Sequence, residues 1–397
     1  MWGRTCESAF NQPLSQLLST NWGMAGFVIA CFALAAAASI FKFVCWFRAS
    51  HEERKAMWIL LGYFTLSCFT ANFFGSITFF ASAQMLDNFY RAYNDATVTM
   101  GDKMLYFSVS NSWQAVYELF YSLAFMFLSC AMLMILHRML EFSLRVVRVA
   151  NTDLRTSRPV AIHKFVMYAV VFMNFAGFVS SIASAALNVN AAYFFSKSAS
   201  EFNSGQNTTG FDFMQRANIE NDRAQNAASA FDFVEVMTLV VVLVSFTGIG
   251  LFCVSSLSSV ENEALLSTAT QSSHPKLMDS FRRMKRRVFG TVAVVFATFV
   301  SRTSFSILNA VAASGMSRSS DPNCNLCDYS CQSVYDLIYI WLAYTPQFQI
   351  SMEFFSCPVA TLIALWGMSD DKWKRKQQSL LQTSRSTQGN SFRETIV

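Results

Sequence analysis

Two full charges, Arg302 and Glu353, interrupt otherwise apolar stretches. Arg302 lies about four helical turns beyond Val288, roughly 21 Å along a helix axis. Glu353 lies a similar distance before Gly367, so on adjacent spans the two would sit at comparable depth. A lone charge near the centre of a bilayer costs about 2.5–3.5 kcal/mol on insertion scales, and an opposite charge removes much of that cost. The expectation is an intramembrane ion pair, Arg302–Glu353. It would serve as a packing lock, or as a switch contact or the floor of a polar cavity. A second group is Glu118, Asp232, Glu235 and Asp336, each placed in the outer turns of an apolar stretch. These carboxylates either line a cavity open to the outside, suited to a cationic or polyhydroxylated ligand, or reach toward headgroups and water. Glu235 is the strongest member because Phe231, Phe233, Val234 and Val236 surround it in sequence.

Enzyme chemistry finds little support. The four histidines, His51, His137, His163 and His274, fall in connecting segments or at the inner ends of apolar stretches, so a membrane-buried zinc hydrolase lacks its imidazole ligands. No Gly-x-Ser-x-Gly or Walker sequence is present. Tyr335-Asp336 has no accompanying Gly-x-Gly-Asp, so an intramembrane aspartyl protease is not indicated. No enzyme activity, metal or cofactor is expected.

The elements that must position these residues are membrane helices. Of 397 residues, 53% are hydrophobic and 14% charged, against about 25% charged in soluble domains. A span needs about 20 apolar residues. Seven segments qualify: 23–47, 57–81, 113–137, 163–187, 231–259, 288–314 and 333–367. The first is too long for the apolar region of a signal peptide and reads as a span that also directs insertion. The fold class is therefore all-α, a seven-transmembrane helix bundle over 23–367, with a short segment 1–22 and a Ser/Thr/Gln-rich tail 368–397 expected to be disordered.

Lys and Arg set the orientation. Segments 48–56, 138–164, 260–287 and 368–397 hold 21 of them, and 1–22, 82–112, 188–230 and 315–332 hold 7. The N-terminus is therefore outside and the C-terminus inside. The sequon Asn207-Thr208-Thr209 then lies outside, where Asn207 can be glycosylated. Cys6, Cys324, Cys327 and Cys331 also lie outside, where disulfides persist. Four cysteines allow three pairings; Cys6 joined to one of the cluster, with the other two paired locally, is favoured over a zinc cluster that lacks a nearby His. Segments 82–112 and 188–230 read as polar outer loops, with a short helix at 213–229.

Pro346 and Pro358 are expected to kink the last span. Asn72, Asn174 and Asn309 are expected to hydrogen-bond between helices. The basic run Arg282, Arg283, Lys285, Arg286 and Arg287 presents an inner surface for an effector or for anionic headgroups, the latter at about 1 kcal/mol per residue. Its position beside an apolar stretch argues against nucleic acid as the partner. No internal repeat is visible, which counts against a transporter.

Seven spans, an outer N-terminus, a glycosylatable outer loop and basic inner loops resemble the G-protein-coupled receptor superfamily. A narrower resemblance is to the heptahelical proteins named for tobamovirus multiplication. It rests on Arg286-Arg287-Val288 followed by Phe299-Val300-Ser301-Arg302, and on Glu353 followed by Pro358-Val359-Ala360-Thr361-Leu362. Membership would imply receptor-like topology, scaffold or trafficking partners and no enzymatic activity. The first functional expectation is a receptor that senses an extracellular ligand and couples to a cytoplasmic effector such as a G protein. The second is a non-signalling scaffold or trafficking protein, favoured by the missing Asn-Pro-x-x-Tyr in the last span. A transporter or channel comes third.

Overall fold

The computed structural model describes residues 14–49, 60–95, 97–149, 157–268, 290, 293–308, 311 and 355–368. Among them no strand occurs. Five long helices follow one another: α1 (Leu14–Arg48), α2 (Leu61–Asn94), α3 (Met100–Val149), α4 (Ser157–Asn203) and α5 (Asn207–Thr268). Each contains a stretch long and apolar enough to cross a bilayer, so the chain is a helical multi-pass membrane protein. Two shorter apolar helices complete the described part, α6 (Ala293–Leu308) and α7 (Ala360–Met368). A π-helical turn, Phe355–Val359, precedes α7 and contains Pro358. It is the break expected at Cys357-Pro358, since a proline leaves carbonyls unpaired and a wider turn absorbs the missing bond. The expected sites Cys6, Cys324, Cys327, Cys331, Asp336, Glu353, Arg282, Arg283, Lys285, Arg286 and Arg287 lie outside the described residues, as do Asn309 and the tail.

Neighbours in sequence are antiparallel neighbours in space: α1 packs on α2, α2 on α3, α3 on α4 and α4 on α5, with α5 also reaching α3. The main core holds Phe32, Phe64, Leu128, Leu136, Val170, Leu239, Phe299 and Leu365, drawn from all seven helices. The lengths correct the loop reading. Segments 82–112 and 188–230 are helical apart from short turns near 95–99 and at 204–206. With 47 and 62 residues, α4 and α5 extend roughly 70 and 93 Å, far beyond the roughly 30 Å of a bilayer core. The end of the bundle that carries both turns, the hairpin end, has its own small core of Met104, Ala191, Phe195, Ala199 and Ala217.

Side-chain spacing explains why these polar-looking segments stay helical. On α4, Val170, Gly177, Ser184, Ala191 and Ser198 recur every seven residues, and all are buried. On α5, Gly210, Ala217, Ala224, Phe231 and Thr238 do the same. The two series meet. Ser198 donates to the Gly210 carbonyl at 2.7 Å, and Ser184 to that of Ala224 at 3.1 Å. Gly177 faces Phe231, where an added Cβ would lie 3.3 Å from the ring. Small residues let the backbones approach, and the serines hydrogen-bond across the gap. A strict seven-residue repeat gives left-handed supercoiling.

The turns carry their own signals. At the end of α4, Gly205 adopts φ 84°. Its N–H bonds the Phe202 carbonyl at 3.1 Å, and the Gln206 N–H bonds that of Glu201 at 3.0 Å. This paired closure uses the left-handed residue that glycine adopts without strain. At the start of α3, Thr99 Oγ1 accepts from the Asp102 N–H at 3.2 Å and donates to the Asp102 carboxylate at 2.7 Å, capping the helix. Asp95 accepts from the Thr97 N–H and hydroxyl, and these bonds hold its carboxyl below the ordinary value of 3.8.

Candidate functional site

α6 carries a single full charge among its described residues, Arg302, with its side chain only 6% exposed. Burial forces the guanidinium to find acceptors, and three helices supply its surroundings. From α5, Glu235 Oε1 accepts from Arg302 Nη2 at 3.0 Å and Nε at 3.2 Å. From α3, the Tyr121 hydroxyl accepts from Nη2 at 3.0 Å and donates to Glu235, whose oxygens lie 2.9 and 3.0 Å away. One turn along α6, the Ser306 hydroxyl adds a longer contact of 3.4 Å to the same Oε1. The guanidinium carbon lies 5.7 Å from the centre of the Tyr121 ring and 5.3 Å from that of Phe125, within cation–π range. Cation, carboxylate and phenol therefore satisfy one another where water is scarce, which is the condition for holding a charge at such a place.

Arg302 is thus a buried, paired cation on an apolar helix. The partner among the described residues is Glu235, while Glu353 lies outside them. Of the outer acidic group, Glu235 sits in this triad. Glu118, one turn from Tyr121 on α3, is buried and accepts from Gln114 Nε2 at 3.0 Å. Ser181 of α4 donates to the Glu118 carbonyl at 2.6 Å. Asp232, one turn from Glu235, is half-buried and within electrostatic reach of both glutamates. The structure therefore brings Glu118, Asp232 and Glu235 into one polar zone spanning α3 and α5. Tyr121, which the sequence reading did not single out, is the residue that joins α3 to the pair. Its signal is the spacing Gln114, Glu118, Tyr121, Ser122, which collects polar groups on one face of an apolar helix.

Beside the triad, Thr78, Tyr121, Phe125, Arg302 and Cys357 border a cavity of about 20 Å³. That is room for one water, not for an organic ligand. Elsewhere, Asn72 Nδ2 bonds the Cys68 carbonyl at 2.7 Å and reaches Thr361 of α7 at 3.4 Å, an interhelical contact of the expected kind. Asn174 is buried, and its side-chain oxygen has no partner among the described residues. Asn207 is exposed as the first residue of α5. No group of three or more metal-ligating side chains occurs among the described residues. Comparison with protein-family models, curated proteins and solved structures returns no match.

Proposed function

We propose that this chain is a receptor-like seven-span membrane protein, with the hairpin end outside and the basic segments inside. A partner bound at the hairpin end acts on the helices that meet at Arg302, and the inner ends pass the change to an effector such as a G protein. The observation that carries the reading is the buried Arg302–Glu235–Tyr121 triad, which ties α6 to α3 and α5 by hydrogen bonds rather than by apolar packing alone. A charged contact buried between helices has discrete made and broken states, as a switch requires. Helices α3 and α5 run unbroken from the hairpin end through the triad toward the other end, so a shift at one end reaches both. The water-sized cavity favours a macromolecular partner over a small ligand in the triad itself.

The alternative is a non-signalling scaffold or trafficking protein, favoured by the mutual satisfaction of the three side chains, which suits a static staple. Proximity labelling from the C-terminus separates the two, comparing the wild type with the paired variant Arg302→Met/Glu235→Leu, in which the lock is replaced without leaving a buried charge. A receptor changes its labelled effectors when the lock is removed. An unchanged set of neighbours in a correctly folded variant refutes the switch and leaves the scaffold.

A further inference from the structure

At the end of the bundle opposite the hairpins, His137 of α3 and His163 of α4 face each other. His137 Nδ1 lies 3.2 Å from His163 Nε2, and the ring centres are 5.3 Å apart. His137 is half-buried. His163 is only 3% exposed, and its other nitrogen, Nδ1, is buried with no partner among the described residues. The pair stands apart from the Arg302 triad and plays no part in the reading above.

The two nitrogens can share one proton in either direction. Buried N–H groups without an acceptor are rarer than buried acceptors without a donor, so we assign His163 a bare Nδ1 and an Nε2–H that donates to His137 Nδ1. The closed pair then has no place for another proton. On His163 Nδ1, a new N–H would point at no acceptor. On His137 Nδ1, two N–H groups would point at each other and the bond between helices would be lost. Once the rings separate and meet water, both imidazoles are free to take up protons.

We propose that His137 and His163 form a proton-operated latch that holds the ends of α3 and α4 together when neutral and releases them when protonated. Among the described residues, the charged neighbours are these. On α3, Arg138 and Glu141 pair with each other at 3.3 Å. On α4, Lys164 is exposed. α5 carries no titratable side chain between Val236 and Phe252, and the facing turns of α2 offer the exposed Tyr63 and the buried Cys68. Among the described residues, the nearby carboxylate is Glu141, one turn from His137, and it is engaged by Arg138. The spacing of 3.2 Å also suits two nitrogens on a tetrahedral metal. A metal on His163 Nε2, however, would move the ring proton to the unpartnered Nδ1, where liganded histidines ordinarily have an acceptor, and no third ligand completes a site among the described residues.

The test is hydrogen–deuterium exchange of the full chain in lipid nanodiscs, at about pH 7.5 and pH 5, corrected for the intrinsic rate. In the wild type, the opening equilibrium of peptides from 130–149 and 157–170 should rise about tenfold per pH unit below about 6, the signature of at least one proton taken up on opening. Peptides from 213–229 should not change. In His137→Gln/His163→Gln the dependence should vanish. Equal wild-type protection at both pH values overturns the latch and needs no variant to interpret. Protection gained from micromolar zinc at pH 7.5 and lost to a chelator overturns it in favour of a metal site.

Discussion

Arg302, Glu235 and Tyr121 form a unit in which each group depends on the other two. Removing one partner of a buried ion pair leaves an uncompensated charge and typically costs about 3–5 kcal/mol. Arg302→Ala or Glu235→Ala should therefore lower the unfolding midpoint in mild detergent sharply. Arg302→Met/Glu235→Leu should recover most of that loss, because an apolar pair of similar volume asks nothing of its surroundings. If the double variant is as unstable as the single ones added together, the two residues do not act as a pair. Tyr121→Phe keeps the ring beside the guanidinium and removes only the hydroxyl. It should cost about 1–3 kcal/mol, and a change within error would show that the phenol is incidental. The need of Arg302 for a buried counter-charge was legible in sequence, since few environments retain an arginine in an apolar run. The part played by Glu235 was not. Counting turns from estimated span ends points to Glu353, which lies outside the described residues, and it places Glu235 near the outer end of a segment whose helix begins at Asn207. Tyr121 escaped because a tyrosine in an aromatic-rich helix looks like core.

The α4–α5 pair shows a different limit of sequence reading. Hydropathy over 188–230 falls because serines, asparagines and alanines replace leucines, and such composition reads as loop. The information lies in the repeat instead: small residues at Gly177, Ser184, Ala191 and Ser198 face Phe231, Ala224, Ala217 and Gly210 at seven-residue intervals. The main apolar spans, by contrast, were plain from length and composition alone. If the seam depends on close approach, size at these positions is what matters. Gly177→Leu would push a side chain into Val234, whose Cγ1 would lie 3.2 Å from the new Cβ, and overpacking of this kind costs about 1–3 kcal/mol. Ala186→Leu, on the exposed face of the same helix, should stay within about 0.5 kcal/mol. Equal effects in thermal unfolding would show that the register is wrong. The α2–α3 turn adds a pH-dependent detail. The Asp95 carboxyl is held below its ordinary value by Thr97, so its contribution is present above pH 3.8 and is lost as pH falls through the lower, folded value. In Thr97→Val the side-chain hydrogen bond is gone, and NMR titration of Asp95 should show its midpoint moving back up toward 3.8.

For the whole molecule, one question decides how every surface is used: which end faces out. The proposed reading, from the distribution of Lys and Arg, has the hairpin end outside. The exposed position of Asn207 at the first residue of α5 makes this testable without any ligand. The asparagine stands at the α4–α5 turn, at the far end of helices that run well past the bilayer core, so it is sterically open to the glycosylation machinery of the outer compartment. In the proposed orientation, treatment with an N-glycosidase should raise the gel mobility of the wild type and leave Asn207→Gln unchanged. The reverse orientation predicts no shift for the wild type. It predicts instead that Thr270→Asn, which places a sequon with Ser272 just beyond α5, becomes glycosylated in its stead. The two outcomes exclude each other, and the consequences reach every site described above. With the hairpin end outside, the Arg302 triad lies under a partner-binding extension and the His137–His163 pair samples the proton activity of the cytoplasm. With it inside, the histidines face the exterior or an organelle lumen, where acid pH is encountered routinely, and a proton-released latch would be driven from that side.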